Sequence, residues 1–539
     1  MTCELSITLM PEEEKNQAVI DSRIRKELAA RRIPVKNQKI TSVFIKKSID
    51  ARHSQIKLVM RFKVYIGEEP EDLENISLNW KPADGKHSVI IVGCGPAGLY
   101  AAFKLFEKGI KPVIIERGNP TSSRTEDIAN LTKDGVLDEN SNFCFGSGGA
   151  GTFSDGKLYT RSNKRGDIYK IYRIFVDFGA NPNILTDAHP HIGTDKLPGI
   201  IDRMEKKIVE LGGEIHFNSL CTNLLTEKNE NSGKLKATGV KVKNLADGTE
   251  KEITADAIIL ATGHSAAGVY KMIADISPDA LEAKTFAVGV RVEHPRAIID
   301  TIQFHGKQMP AAAEYRLTTQ VEGRGVYSFC MCPGGFVVPC ATAKNQIVVN
   351  GMSSSGRNSE WSNAAIVVER RPEDIPETFV KQAQEDGCPA LAGLYWRTWL
   401  ENLTYQNGKG QYAPAQRLTD FLEERDSKDL PVTSYKPGVI PSRLDRWLPE
   451  DIRRKLQAAF KDFNKSMKGF VCSDAILIAS ETRTSTPVRI LRSKETLECT
   501  AIENLYPCGE GSGYSGGIGS SAMDGERVAA AIIAKITAR

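Results

Sequence analysis

No two of the eleven cysteines in this 539-residue chain stand in a C-x-x-C pair, and the number is odd. The closest two are Cys330 and Cys332. This excludes a disulfide scaffold and a structural zinc site, and it reads as a chain kept reduced in the cytoplasm. Charge of one sign is not in excess either. Against 71 Lys+Arg stand 67 Asp+Glu, and a net charge of +4 does not predict a nucleic-acid or membrane partner. The N-terminus has no apolar core of signal-peptide length and carries Glu12, Glu13 and Glu14 instead. Long hydrophobic runs are also missing. The nearest approach, residues 88–106, is interrupted by Gly93, Gly95, Pro96, Gly98 and Lys104, so no membrane span is expected.

What is present is an ordinary globular composition, 41% hydrophobic and 26% charged, long enough for roughly two to four domains. Residues 1–82 read as a small α+β domain. A strand at 3–10 leads to a helix at 12–32 with Val19, Ile20, Ile24 and Leu28 at helical spacing, followed by strands at 41–46 and 56–66 joined through 50–54. From Arg23 to Lys63 thirteen basic residues, Lys36 among them, face only Glu27 and Asp50, a local excess of eleven. That excess suits RNA, but acids at 12–14 and 68–74 flank it and no aromatic stacking platform accompanies it. A solvated face or interdomain contact is the favoured reading.

Residues 83–283 follow an α/β plan: apolar strand, glycine turn, helix and second strand, then short antiparallel strands at 213–218, 222–226, 237–243 and 250–253, and a last apolar strand ending at Ala261-Thr262-Gly263. Residues 284–470 are mixed, with a helical region expected at 364–384. Residues 471–539 return to dense glycine and end in a helix.

The strongest local signal is G-x-G-x-x-G at Gly93, Gly95 and Gly98, after a strand and opening a helix. Gly93 permits the tight turn, Gly95 lets backbone approach a pyrophosphate and Gly98 lets helix and strand pack closely, while Pro96 and Ala97 begin the helix whose N-terminus faces the phosphates. Glu116 ends the second strand where a ribose-binding acid belongs, with Arg117 beside it. These residues suit FAD or NAD equally.

The order of elements decides between them. A βαβ unit, a meander, an Ala-Thr-Gly strand end and a late Gly509-Glu510 segment resemble the glutathione-reductase-like flavoproteins, whose FAD domain is interrupted by a substrate domain. Glu510 stands where those proteins usually carry Asp. In them Gly516, Gly517 and Ile518 would open a helix facing the flavin pyrimidine edge, its dipole favouring a reduced flavin. Residues 143–158, 263–266, 329–335, 481–489 and 47–52 resemble one family of FAD-dependent dehydrogenases expected to use NAD. The resemblance implies a Rossmann-like FAD domain interrupted by a mixed α+β substrate domain, with FAD as cofactor, a small-molecule substrate and NAD(P)H as a transient donor. In the 146–157 loop, Gly148, Gly149, Ala150, Gly151, Thr152, Ser154 and Asp155 are expected at the FAD, together with Ala261, Thr262 and Gly263.

For catalysis the candidates are Lys157, near the flavin, and Arg483, on the loop with Arg489, to bind an anion or steady a reduced flavin. His264 reads as a hydrogen-bonded structural residue with a proton donor as the alternative. Cys330 and Cys332 suggest a redox pair, but alternation along a strand places both on one face, in a core or pocket wall. With one fingerprint only, the chain is read as an FAD-dependent oxidoreductase without a second nicotinamide domain. An RNA-modifying flavoprotein and a non-enzymatic flavin sensor are the alternatives.

Overall fold

A computed structural model describes residues 1–35, 38–52, 55–70, 78–160, 166–309 and 311–538. Lys36, residues 53–54 of the 50–54 connection and residues 71–74 of the acidic flank, used above, lie outside them.

The N-terminal unit is a three-stranded antiparallel sheet in the order Thr2–Leu9, Lys57–Ile66, Ile40–Asp50. Helix Gln17–Ala30 lies on one face, with Asn16 as its cap accepting from the Val19 N–H at 3.3 Å. The expected helical spacing is the packing surface: Ile20, Ile24 and Leu28 are buried against Leu5, Ile7, Met60 and Phe62. Part of the basic stretch docks on the main body, since the Lys47 N–H donates to Thr186 O and its carbonyl accepts from Ala188 N, both at 2.9 Å.

The α/β plan of 83–283 takes shape as a five-stranded parallel sheet in the order Leu505–Pro507, Ala257–Leu260, Ser88–Val92, Lys111–Ile115, Glu214–His216. The last strand corrects the reading of 213–218 as antiparallel. It pairs parallel with Lys111–Ile115, because helix Leu197–Glu210 carries the chain back to the start of the sheet. The meander is antiparallel as expected, from Ser219–Lys228, Leu235–Asn244 and Glu250–Thr254. Helix Pro96–Phe106 is clamped between the sheet and the C-terminal helix Ile518–Thr537. The two helices cross at Gly525, where a Cβ would stand 2.1 Å from Ala97 O. The 88–106 segment is thus strand, turn and helix. Among the described residues no helix is long and apolar enough to cross a membrane.

The middle region is built on a seven-stranded sheet. Its order is Thr318–Val321, Arg324–Cys332, Trp361–Arg370, Phe286–Pro295, Ile476–Glu481, Ala413–Arg417, Val439–Pro441. The helix expected at 364–384 is half wrong. Residues 364–368 (Ala-Ala-Ile-Val-Val) belong to a central strand buried on both faces, where β-branched side chains pack well, and only Glu377–Glu385 is helical after Pro376. Strand Ile476–Glu481, beyond residue 470, belongs to this sheet.

Candidate active site

The carboxyl ends of the parallel strands open into a cavity of about 770 Å³, within the ~300–1,000 Å³ typical of ligand sites. Its floor is the glycine turn. Gly93 has φ +109°, and a Cβ there would stand 2.4 Å from Ala261 O. A Cβ on Gly98 would be 2.1 Å from Gly93 O, so this glycine serves packing and lies off the lining. Gly95 differs: a Cβ would meet nothing nearer than Gly149 Cα at 3.8 Å. The space above Gly95, at the N-terminus of helix Pro96–Phe106, is therefore left to the cavity, with Pro96 and Ala97 also on its lining.

Glu116 is 5% exposed and accepts backbone N–H groups from Cys94 (2.9 Å), Gly118 (3.0 Å) and Gly146 (2.9 Å). A carboxylate has about four acceptor sites, so room remains for a ribose hydroxyl. Glu116 thus ties the fingerprint turn to the 146–157 loop, a duty beyond the one read from its position. Arg117 stacks over Phe145 at 4.2 Å and donates to Asn140 Oδ1 at 2.7 Å. Ser219, Leu220, Cys221 and Thr222, read from sequence only as meander, complete this part of the lining.

The 146–157 loop reaches the cavity through Gly149, Ala150, Gly151, Ser154, Asp155 and Lys157. Gly148 and Thr152 stay behind it. Gly148 has φ +71°, with Thr152 Oγ1 where its Cβ would be, and Thr152 is buried and donates to Ser147 O at 2.8 Å. Asp155 is buried. Burial opposes its ionisation, but Lys157 at 3.5 Å and Arg357 at 2.8 Å outweigh that and hold it at about 2. Lys157 donates to Met331 O, so its ammonium is anchored to the middle region, which caps the cavity.

From the far side come Ala261, Thr262, Gly263, Gly509, Glu510, Gly516, Gly517 and Ile518, all on the lining. His264 is buried with Nδ1 3.6 Å from Glu510 Oε2. Burial works against its charge, but Glu510 prevails and raises its pKa. Arg483 also lines the cavity, with its fork occupied: Nε and Nη2 donate to Glu401 at 3.0 and 2.9 Å, Nη2 also to Gln346 Oε1 at 3.1 Å. Arg489 pairs with Glu282 at 3.3 Å and is not on the lining. Cys330 faces the cavity, whereas Cys332 is fully buried.

Besides Arg357 and Glu401, buried charged residues that shape this site went unread, Arg124, Glu205 and Asp524 among them. Arg124 is fully buried and donates to the carbonyls of Asn142, Phe143 and Ser147, holding the loop in place. Glu205 accepts from Cys94 Sγ (3.3 Å) and Ser147 Oγ (2.6 Å), and burial pushes its carboxyl up to about 7. Asp524 accepts the Gly509 N–H at 2.8 Å and pairs with Arg492 at 2.7 Å. A signal existed. Arg124 stands in helical register with Ile128 and Leu131, Glu205 among Ile201, Met204 and Ile208, and Asp524 with Val528, each a lone charge on an apolar helix face.

The glycine cradle, the helix N-termini and Glu116 fit a dinucleotide, with open space where its phosphates would meet Gly95. Residues 87–283 match the model of the pyridine nucleotide-disulphide oxidoreductase family, and residues 285–484 that of the FAD-dependent protein, C-terminal domain-like family. The chain belongs to a family of FAD-dependent oxidoreductases. Residues 1–65 match a domain of unknown function. An uncharacterized protein of Clostridium beijerinckii is 38% identical over 516 residues, 91% of this chain and 92% of that one. Among solved structures, this FAD-dependent oxidoreductase is similar to a flavoprotein/dehydrogenase from Cytophaga hutchinsonii (9% identity, 84% of this chain and 79% of that one, TM-score 0.37). It is also similar to a geranylgeranyl bacteriochlorophyll reductase-like protein from Thermoplasma acidophilum (10% identity, 84% and 79%, TM-score 0.34).

Proposed function

We propose that this oxidoreductase passes hydride between FAD and a small organic substrate in the one cavity, and that NAD(P)H docks there transiently as donor. Bound FAD supplies the two-electron chemistry. The observation that carries the reading is the continuity of the cavity. The fingerprint turn, Gly149–Gly151, the N-terminus of Ile518–Thr537 and the cap residues Phe329, Cys330, Asn350 and Arg483 all line it, so cofactor and substrate would share one continuous space. Gly95 and the two helix N-termini would receive the pyrophosphate, and Glu116 a ribose hydroxyl. Glu510 would receive a polyol hydroxyl, and its carboxylate raises the pKa of His264 on the same lining. Lys157 and Arg483, the catalytic candidates, are positioned through Met331 and Glu401, and each would present positive charge to an anionic group of the substrate.

Cofactor released by heat should chromatograph as FAD, and NADH or NADPH should reduce the bound flavin with KM at or above roughly 1 mM, since the sequence carries one dinucleotide fingerprint and FAD would take it. Stopped-flow reduction measures this. Bound FMN, or saturation at low micromolar donor, contradicts the reading.

A further inference from the structure

We propose that Cys330 and Cys332 form a redox-active dithiol on the wall of the FAD cavity, cycling between two thiols and one disulfide. The expectation of a plain strand fails here. Arg324–Cys332 pairs with Trp361–Arg370 regularly as far as Phe329 opposite Ala365, then resumes only at Cys332 opposite Asn363. The intervening bulge puts Cys330 at φ +44°, a left-handed conformation that costs a cysteine on the order of 1 kcal/mol or more and gathers at functional sites.

Two cations hold the bulge. Arg291 donates to Cys330 O at 3.3 Å and is itself fixed by Glu481 (2.9 Å), Asn363 (2.7 Å) and Asn350 (3.1 Å). Lys157 reaches across from the 146–157 loop to Met331 O. A wall that only excluded water would need neither cation nor strained residue. Cys330 faces the cavity, and Cys332 lies behind it with Sγ 3.3 Å from Cys330 O.

The two thiols are unequal. The neighbouring Cys332 side chain lowers the pKa of Cys330, burial opposes this, and Lys157 and Arg291 add to the lowering, while Cys332 is raised. A cavity-facing thiol whose pKa is lowered, with a partner of raised pKa behind it, is the arrangement that makes and resolves disulfides. The balance closes with the cofactor alone. Cys330 thiolate and Cys332 thiol lose two electrons and one proton as the S–S bond forms. Oxidised FAD takes up the same two electrons and proton, a hydride equivalent, and the reverse reduces the disulfide. This rests on FAD occupying the cavity, and flavin content, read from absorbance, reports on that separately.

The test uses the FAD-loaded full chain. After mild oxidation with diamide, free thiols are blocked with iodoacetamide, disulfides are reduced, and the released thiols are labelled with N-ethylmaleimide. Peptide fragmentation across residues 325–344, which also hold Cys340, should find the second label on Cys330 and Cys332. Anaerobic dithionite titration of the oxidised protein should consume roughly twice the reductant per FAD that Cys330→Ser consumes. A second label on Cys144 and Cys340 instead, no second label at all, or equal titrations of two flavin-loaded proteins would overturn the proposal. Should Cys330→Ser fail to fold, the labelling of the unmodified chain decides alone.

Discussion

The glycine cradle and the cap wall meet at the same cavity but are built on opposite principles. In the cradle the working groups are backbone N–H groups and empty space. Gly93 and Gly98 are fixed by carbonyls within 2.4 Å of where a Cβ would sit, while Gly95 is open to the cavity. In the cap wall and the loop against it the working groups are side chains, and those of the catalytic candidates are committed before any ligand arrives: Arg483 to Glu401, Lys157 to Met331 and Asp155. Backbone recognition depends on where atoms are missing, and side-chain recognition on which partners are already taken. One site thereby combines a cradle of backbone N–H groups and open space with a wall whose charge is fixed in advance.

The largest expected effect tests the difference within the cradle. Gly95→Val should fold, because its Cβ has 3.8 Å to the nearest neighbour, but the branched side chain then fills the phosphate space. Overpacking of about 3 kcal/mol corresponds to FAD retention weakened about a hundredfold. Gly98→Val should instead fail to fold, since its Cβ would collide with Gly93 O at 2.1 Å. Flavin absorbance after desalting, with circular dichroism of the same samples, separates the two. A Gly95→Val protein holding stoichiometric FAD would remove the cradle from the pyrophosphate.

That contrast also explains what was legible in the sequence. Glycines announce a backbone site because their spacing is the structure, so Gly93, Gly95, Gly98, Gly149 and Gly509 could be placed from the chain alone. The wall could not be read this way. Whether Arg483 meets a phosphate or Glu401 depends on a helix residue 82 positions away, and the bulge at Cys330 depends on the register against Trp361–Arg370. The same tertiary dependence hid the strand at 361–370 and the parallel pairing of Glu214–His216. An apolar run fits a helix or a buried strand until its neighbours are known.

A smaller effect lies where cradle and side chains meet, at Glu205. Burial raises its carboxyl from 4.5 to about 7 in the folded protein. The sign follows: its contribution to stability is fully present below pH 4.5 and is lost as pH rises through about 7, when the buried group must ionise. The loss is on the order of 3 kcal/mol. Glu205→Gln keeps an acceptor for Cys94 and Ser147 without the charge, so its urea denaturation midpoint should vary less with pH and exceed that of the unmodified protein at pH 8, with little difference at pH 5. Parallel pH profiles for both proteins would show that the carboxyl does not titrate between them.

The smallest effect is expected outside the lining. Arg489 belongs to the same 481–489 run as Arg483 and was read with it as a contact for an anion, yet it pairs with Glu282 at 3.3 Å, keeps 34% side-chain exposure and is not on the lining. Exposed pairs of this kind contribute about 0–1 kcal/mol. Arg489→Ala should therefore leave kcat unchanged and shift KM for NADH or NADPH by less than about fivefold, the factor that 1 kcal/mol allows. Steady-state kinetics with each donor measures it, with flavin content as the control for folding. A tenfold or larger rise in KM at constant kcat would place a donor phosphate on Arg489. The donor would then enter on the Glu282 side, and the wall between Lys157 and Arg483 would be left to the substrate alone.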